Sequence, residues 1–460
     1  MNANKKVKFT TAFWIANAVE LLERAAYYGV FIVITLYLSR ILAFSDVQAA
    51  LIAGIFSAGM YLLPTFSGAL ADRIGFKNAL LLAFVLLTIG YFSLGIFPKI
   101  LENNGLVEYG RETNFTGLRE SNVKFNILPI MLIIMVGGSF IKSVISGTVA
   151  KETTQENRAK GFSVFYMMVN IGAFSGRTLV EPLRLSMGNL GLIQLNFFSA
   201  AMTFVAFLII FFFYKASKSE GKSKNLAEIW AALLKVLTNG KLITLILIMS
   251  GFWMVQQQLY ATMPKYVLRL AGEGASPSWY ANVNPVIVVF FVGFVTQMMR
   301  KRTALFSMTI GMFIMPLSSL VMASGNMMDS SLIDFGFTQI HPIAVMMMLG
   351  IAIQGFAETF ISPRFLEYFS LQAPKGEEAM YLGFSQLTSF FSSIFGFGLS
   401  GFLLDKYCPE PTLFPTHEAW QAAAVNAHYI WYYFMAIAFI SGIALIIYGK
   451  FVTKSNVVNS

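Results

Sequence analysis

The chain has 460 residues, of which 56% are hydrophobic and 12% charged, with a formal net charge of +10. Soluble domains carry about a quarter charged residues, so this composition excludes a disordered chain and an ordinary soluble globule. One cysteine, Cys408, excludes an internal disulfide, and the scattered His341, His417 and His428 offer no imidazole cluster, so neither a metal nor a cofactor is expected.

Residues 1–9 are short and basic (Lys5, Lys6, Lys8). The apolar run behind them is too long for a signal-peptide core and carries Glu20, Glu23 and Arg24, so it reads as a retained first helix. Apolar runs recur at 10–38, 47–71, 78–98, 126–150, 160–182, 190–214, 241–268, 281–299, 303–324, 342–371, 378–404 and 427–450. A membrane-spanning helix needs about 20 such residues, so these are numbered helices 1 to 12. An even number puts both termini on one side. Lysine and arginine choose that side. Arg73, Lys77, Lys151, Arg158, Lys160 and the triplet Arg300-Lys301-Arg302 all fall in loops on the side of the basic N-terminus. So do Lys215, Lys218, Lys222, Lys224, Lys235 and Lys241 of the central linker. Both termini are therefore expected in the cytoplasm, with the chain in the cell (inner or plasma) membrane. The basic residues serve orientation, and no nucleic-acid partner is implied.

The linker 215–240 divides the chain into an N-terminal six-helix bundle, 1–214, and a C-terminal one, 241–460. Within it, 225–238 is amphipathic, too polar to span, and expected along the cytoplasmic face. Gly68-Ala-Leu-Ala-Asp72-Arg73 after helix 2 is echoed weakly by Gly293-Phe-Val-Thr-Gln297-Met298 at the end of helix 8. Two parallel six-helix halves are the plan of a major-facilitator transporter. The stretch from Gly68 to Lys77 also resembles that superfamily's loop 2–3 motif, in which Asp72 would cap a helix end while Arg73 and Lys77 hold the cytoplasmic gate. The expected fold is an all-α membrane protein of twelve transmembrane helices in two six-helix bundles, the major facilitator fold, acting as a monomer in the lipid bilayer.

A few charges stand at membrane depth, where each costs roughly 2.5–3.5 kcal/mol. Helix 1 sets Glu20, Glu23, Arg24, Tyr27 and Tyr28 on one face by spacings of three, four, seven and eight. Lys142 follows the small residues Gly137, Gly138 and Ser139. The next cytoplasmic charge, Lys151, is about 13 Å further along the helix, more than a lysine stem covers comfortably. Glu358 lies near the middle of helix 10, five residues before Pro363, which should kink or weaken the helix. A structural Glu20–Arg24 pair, a snorkelling Lys142 and a Glu358 satisfied by Gln354 or by a neighbouring helix are the purely structural alternatives. The functional alternative is a zwitterion whose carboxylate meets Arg24 and Lys142 and whose ammonium meets Glu358. Carboxylates in such a cavity can also carry protons.

Glu20-Leu-Leu-Glu23-Arg24-Ala-Ala-Tyr27-Tyr28-Gly29 resembles the ExxERFxYYG motif of the proton-dependent oligopeptide transporters. Tyr61-Leu-Leu-Pro64 with Ala71-Asp72, Lys142, Phe165-Tyr166-Met-Met-Val-Asn170-Ile-Gly172 and Phe252-Trp253 continue the likeness along helices 2, 4, 5 and 7. Asn284-Pro285, then Glu358-Thr-Phe-Ile-Ser362-Pro363 and Ala373-Pro374, extend it to helices 8 and 10. The resemblance implies proton-coupled uptake of di- and tripeptides by alternating access. Carried over by position, Glu20, Glu23, Arg24 and Lys142 would couple protons, and Arg24 and Lys142 would also meet the peptide carboxylate. Asn170 and Asn284 would bind peptide backbone, Glu358 the amino terminus, and Tyr27, Tyr28 and Tyr61 would line the pocket. Gln257 joins this binding set, although family members often have a carboxylate there.

This chain departs from the pattern at several points. Ala25 replaces a phenylalanine, Lys142-Ser143-Val144 stands for KPN, and Tyr381-Leu382-Gly383-Phe384 lacks the expected helix 11 tryptophan. Arg177 and Glu181 form an unusual i,i+4 pair on helix 5, either an outer-rim pair or a change in selectivity. Gln257 puts the usual coupling circuit in question. The alternatives are therefore a transporter of another small zwitterionic or anionic solute with altered or absent proton coupling, or a transporter-derived membrane peptide sensor. An enzyme is not expected, since His417-Glu418-Ala-Trp-Gln lacks the second histidine of HExxH and no GxSxG or P-loop pattern occurs.

Overall fold

The computed structural model describes residues 9–154, 158–215, 226–329, 331–336, 338–371 and 383–458. Lys5, Lys6, Lys8, Lys218, Lys222, Lys224, Ala373-Pro374 and Tyr381-Leu382 lie outside the described residues.

The twelve expected helices are found in order. Helix 1 is Thr11–Phe31, bent by 45° into Ile34–Arg40. Helix 2 is Asp46–Leu62 followed by Pro64–Ile74. Helices 3 to 6 are Phe76–Asn103, Ile127–Lys151, Arg158–Met187 and Asn189–Phe213. The linker helix is Leu226–Thr238, which buries Ile229, Leu233 and Val236 along one stripe. Helix 7 comes in three pieces, Gly240–Gln256, Gln258–Ala261 and Met263–Ala271. Helices 8 to 12 are Val283–Met299, Ala304–Ser324, Pro342–Leu371, Leu387–Tyr407 and Tyr429–Val458.

Ten of the described helices are long and apolar enough to cross a membrane, and the bent pair of helix 1 makes an eleventh. Helix 5 is the remaining expected span. At 30 residues it is long enough, but Arg177, Glu181 and Arg184 reduce its apolar character. The fold is that of a multi-pass membrane protein.

The ends and breaks follow from local chemistry. Asn239 accepts from the backbone amides of Lys241 and Leu242 and so starts helix 7. Thr303 does the same for helix 9 through the amide of Phe306. Gly75, at φ 84°, ends helix 2 in the left-handed region that favours glycine. Pro64 breaks helix 2 because it has no amide proton. Ser143 of helix 4 donates to the Pro64 carbonyl at 2.7 Å, so the serine that replaces the family's proline serves the broken helix.

The described residues group into two compact units, 1–31 with 62–230, and 32–61 with 231–460. In the first, helix 1 packs on helices 5 and 6, and helix 3 on helices 4 and 6. In the second, helix 10 packs on helices 8 and 9, helix 12 on helices 7 and 9, and helix 7 on helix 11. The piece Ile34–Arg40 packs on the last pieces of helix 7 within this second unit.

Helices 1 and 5 approach through glycine. A Cβ on Gly172 would stand 2.5 Å from the Leu21 carbonyl oxygen, and one on Gly176 would collide with that of Ala25. Small residues let membrane helices pack this closely. Gly176→Leu is therefore expected to destabilise the protein by about 1–3 kcal/mol through overpacking. Gly293→Leu, where an added Cβ meets nothing within 4 Å, should leave stability intact. Thermal melts of the two detergent-purified variants check this, and equal losses would refute the close-packing argument.

Candidate functional site

The first unit holds a buried ion cluster on helix 1. The Arg24 guanidinium reaches Glu20 Oε1 from Nε at 3.1 Å and Glu23 Oε2 from Nη2. All three side chains are at most 5% exposed. Glu23 and Arg24 are neighbours in sequence, so the long fork of arginine is what lets one cation serve two carboxylates. Arg24 also stands 5.5 Å from the Tyr27 ring centre. Tyr27 stacks on Phe31 at 5.0 Å and meets Tyr28 edge-on at 5.1 Å. Lys142 of helix 4 faces the same group, since its charge acts on Glu20, Glu23 and Arg24. The sequence-predicted coupling residues are thus brought together.

Nearby, Arg177 places its guanidinium 4.8 Å from the Tyr28 ring centre, and Arg184 bonds Glu181 at 2.8 Å. Arg177, Glu181 and Arg184 are all buried, so these helix 5 charges belong to the interior of the unit and not to an exposed rim. Asn170 is half-buried on the same helix and donates to the Tyr166 carbonyl one turn back at 2.8 Å.

The second unit holds Glu358. Its Oε2 accepts from Gln256 Nε2 of helix 7 at 3.0 Å and from Asn284 Nδ2 of helix 8 at 3.3 Å. Gly355 makes the second contact reachable, because a Cβ there would lie 3.0 Å from the Asn284 carbonyl oxygen. Tyr61 is half-buried at the end of the segment 32–61. Pro363 lies inside helix 10, which continues to Leu371. Asp72 and Arg73 occupy the last turns of helix 2, with Arg73 exposed.

Three consecutive glutamines at the first break of helix 7 divide between two neighbours, Gln256 turning to helix 10 and Gln257 and Gln258 to helix 11. Gln256 faces Glu358. Gln257 faces helix 11, donating to Ser392 Oγ at 3.1 Å and Ser393 Oγ at 2.9 Å, with a weaker approach to the Ser389 carbonyl at 3.4 Å. Ser393 Oγ lies 2.9 Å from Ser57 Oγ of helix 2. Gln258 reaches the Gly396 carbonyl at 3.3 Å and accepts from Thr262 at 2.6 Å. Thr262 in turn bonds Ser400 at 2.6 Å. The sequence singled out Gln257 for substrate, whereas the structure puts Gln256 beside Glu358 and Gln257 in a serine-rich seam. The signal was present in the run of three glutamines, but without the break its phase could not be read.

A second charged cluster was missed entirely. Asp46, at the start of helix 2, accepts from Lys265 at 2.7 Å and from Arg269 at 2.8 and 2.9 Å. Arg269 also bonds Glu410 and the Cys408 carbonyl. Arg40 pairs with Glu273 at 2.6 Å beside it. Lys265 and Arg269 looked like ordinary helix-end charges. The extra signal was a single acidic residue, Asp46, at the start of an apolar span. Burial pushes the Glu410 carboxyl up, but Arg269 and then Arg40 hold it below its ordinary value. Its stabilising contribution is therefore present above the unfolded carboxylate range and lost as pH falls.

Together, the multi-pass fold and the ion clusters at membrane depth define a membrane transporter. The Major Facilitator Superfamily pattern matches residues 17–337, and the chain belongs to that superfamily. Among curated relatives, it is 26% identical over 300 residues to dipeptide and tripeptide permease A of Citrobacter koseri, covering 64% of this chain and 54% of the permease. It is 25% identical over 433 residues to dipeptide and tripeptide permease B of Aeromonas hydrophila, covering 84% of this chain and 83% of that one. The chain spans about half the length of the permeases A of Citrobacter koseri and Erwinia pyrifoliae (54% and 48%). Among solved structures, the fold matches the POT family transporter PepTSo with a TM-score of 0.69 at 19% identity, covering 96% of this chain and 98% of that one. A POT family transporter in complex with 5-aminolevulinic acid matches with a TM-score of 0.68 at 17% identity, covering 96% of each chain. The superfamily and these relatives are transporters and not enzymes.

The Asp46 cluster yields a test of energetics. Removing one partner of a buried ion cluster costs about 3–5 kcal/mol, whereas an exposed pair contributes about 0–1 kcal/mol. Asp46→Asn is expected to lower the melting temperature sharply. Glu273→Gln, whose carboxylate side chain is 63% exposed, is expected to leave it nearly unchanged. Equal shifts in the two melts would show that burial does not set the strength of this cluster.

Proposed function

We propose that the chain is a proton-dependent oligopeptide transporter that carries di- and tripeptides into the cell with protons by alternating access. The observation that carries this reading is Arg24 shared by two buried carboxylates, Glu20 and Glu23, with Lys142 facing them. A shared arginine is a competition. A peptide carboxylate that takes Arg24 or Lys142 releases a glutamate to bind a proton, and proton loss restores the internal pair. Substrate and proton binding are then linked through one guanidinium. Glu358 offers the pole for the amino terminus, with Asn284 at its side, and Tyr27, Tyr28, Tyr61 and Asn170 line the path. Asp72 and Arg73 serve the cytoplasmic gate at the end of helix 2, Pro363 serves the bending of helix 10, and 1–214 and 241–460 are the two bundles that move. The protein works as a monomer in the bacterial inner membrane, with both termini cytoplasmic.

One observation favours a second reading. Gln257 is a neutral amide held by serine hydroxyls, so helix 7 lacks a proton site there. A related zwitterion with weaker proton coupling fits this seam. The neighbour in complex with 5-aminolevulinic acid binds such a molecule, an amine and a carboxylate without a peptide bond.

Uptake of labelled dialanine into proteoliposomes, with and without an inward proton gradient, separates these readings. The first predicts accumulation that needs the gradient. Flux indifferent to the gradient would favour the second, and absence of flux for every di- and tripeptide tried would sink the peptide assignment. Glu23→Gln is expected to abolish gradient-driven accumulation while sparing counterflow exchange. Loss of both would remove Glu23 from the coupling step.

A further inference from the structure

Helix 8 ends in three consecutive cations, Arg300-Lys301-Arg302. All three are exposed, and among the described residues none forms an ion pair with a carboxylate. Such a run draws its counter-charge from solution or from a bound anion. The helix end itself does not use them. The carbonyls that close a helix carry partial negative charge and want donors. Arg364 of helix 10 already donates to the Met299 carbonyl at 2.6 Å and pairs with Glu367 at 2.7 Å. The backbone amide of Arg302 donates to the same carbonyl at 2.9 Å. Basic residues of other loops are engaged in the protein. Lys77 donates to the Phe211 carbonyl at 3.1 Å, and Lys151 lies 3.7 Å from the Phe76 ring centre.

Gln297, Met298, Arg300, Lys301 and Arg302 line an open cleft of about 570 Å³. That volume falls in the range of small-molecule sites, about 300–1,000 Å³. Arg302 stands 5.4 Å from the Phe306 ring centre, which orients its guanidinium while leaving N–H groups to donate. The cleft opens onto an apolar face. Val295 and Met299 of helix 8 pack against Phe360 of helix 10. Away from that contact, Val286, Phe290, Phe294 and Met298 are exposed at four-residue spacing, Phe290 by 75%. Beside this ridge runs a second row, Val289, Gly293 and Gln297. A Cβ on Gly293 would meet nothing within 4 Å, so the row holds a notch open to the bilayer. From Met298 to Val286 the helix rises about 18 Å, enough to cross the hydrocarbon of one leaflet, about 15 Å.

We propose that this end of helix 8 binds one anionic phospholipid, its phosphodiester held in the cleft by Arg300, Lys301 and Arg302 and one acyl chain lying along the notch at Gly293. Arginine meets phosphate oxygens through paired N–H groups, and lysine adds a point charge. Basic clefts at the membrane surface bind anionic headgroups in this way. A zwitterionic lipid offers the same phosphate but carries its own cation, which the triplet repels. The charges therefore choose the headgroup, and the ridge and notch seat the chain. The site is independent of which solute the protein carries.

The test titrates the full chain in detergent with lipid and reads bound adducts by native mass spectrometry. The probes are phosphatidylglycerol and phosphatidylcholine with the same oleoyl chains, dihexanoyl phosphatidylglycerol, and glycerophosphoglycerol, which is the headgroup without chains. Wild type is expected to hold one oleoyl phosphatidylglycerol roughly tenfold or more tighter than the phosphatidylcholine. That preference should shrink as salt rises. Arg300→Gln, Lys301→Gln and Arg302→Gln together should reduce it to about twofold or less. The same three charges removed elsewhere, by Lys215→Gln, Lys235→Gln and Lys241→Gln, should leave it unchanged. Gly293→Leu fills the notch and should weaken the oleoyl lipid several-fold while sparing the dihexanoyl one. Equal affinity of wild type for the two oleoyl lipids overturns the site. Equal losses in the two triple variants reduce it to general charge attraction and overturn it too. Glycerophosphoglycerol bound as tightly as the oleoyl lipid overturns the assignment to a membrane lipid. Wild-type binding of every probe by Gly293→Leu overturns the placement of the chain. If the Arg300 triple variant fails to insert, the wild-type comparison and Gly293→Leu still decide.

Discussion

A charge in the apolar slab of a membrane must be paired, hydrogen-bonded or wet, and this constraint organises the whole chain. The first unit answers it by placing two carboxylates, Glu20 and Glu23, around one guanidinium, with the Lys142 ammonium as the second cation. The cluster is balanced in sign but not in distance, because Arg24 sits in direct contact and Lys142 acts from another helix. Such a group can be rearranged by any anion or proton that enters it. The second unit answers the same constraint with amides around Glu358. The first unit therefore keeps these charges mutually engaged, whereas the second holds Glu358 by neutral donors apart from its ionic cluster at Asp46.

Helix 7 shows a second use of the same physics. Its breaks at Gln257 and Thr262 free backbone groups that a continuous helix would satisfy, and the side chains nearby are polar. Gln257, Gln258 and Thr262 meet a serine-rich helix 11 through neutral hydrogen bonds. Each such bond contributes about 1 kcal/mol net and exchanges readily for water. Further along the chain, Lys265 and Arg269 meet Asp46 in a buried ionic cluster whose disruption costs several times more. The seam thus has a soft stretch and a stiff end. A stiff end gives a helix a fixed point about which a soft stretch can rearrange.

Much of this was legible in sequence, and the reason is periodicity. Helices stand where the apolar runs predicted them, eleven of them apolar enough to span when the bent pair of helix 1 is counted as one, and the spacing of Glu20, Glu23, Arg24 and Tyr27 set one helical face that the structure preserves. What could not be read was whatever depended on a helix losing its phase or on partners far apart in the chain. Gln256 and Gln257 differ by one residue, and only the break in helix 7 and the serines of helix 11 decide which of them faces Glu358. Asp46 is 219 residues from Lys265, and nothing local to either marks the other. Ser143 looked like a lost family proline, yet its hydroxyl serves the broken helix 2 beside it.

The departures from the family pattern therefore have different physical weight. Ser143 adds a hydrogen bond to the carbonyl at the helix 2 break and changes no charge. Gln257 removes a titratable group and puts in its place an amide that can both donate and accept, which is what a seam of serines needs. A carboxylate there could only accept while ionised, and the Ser392 and Ser393 hydroxyls would both have to turn their protons towards it, breaking the bonds they now make with the Ser389 carbonyl. The neutral side chain and the serine-rich helix thus belong together as one solution. Helix 7 therefore brings no titratable side chain to this seam, and the two carboxylates that share one guanidinium stand on helix 1.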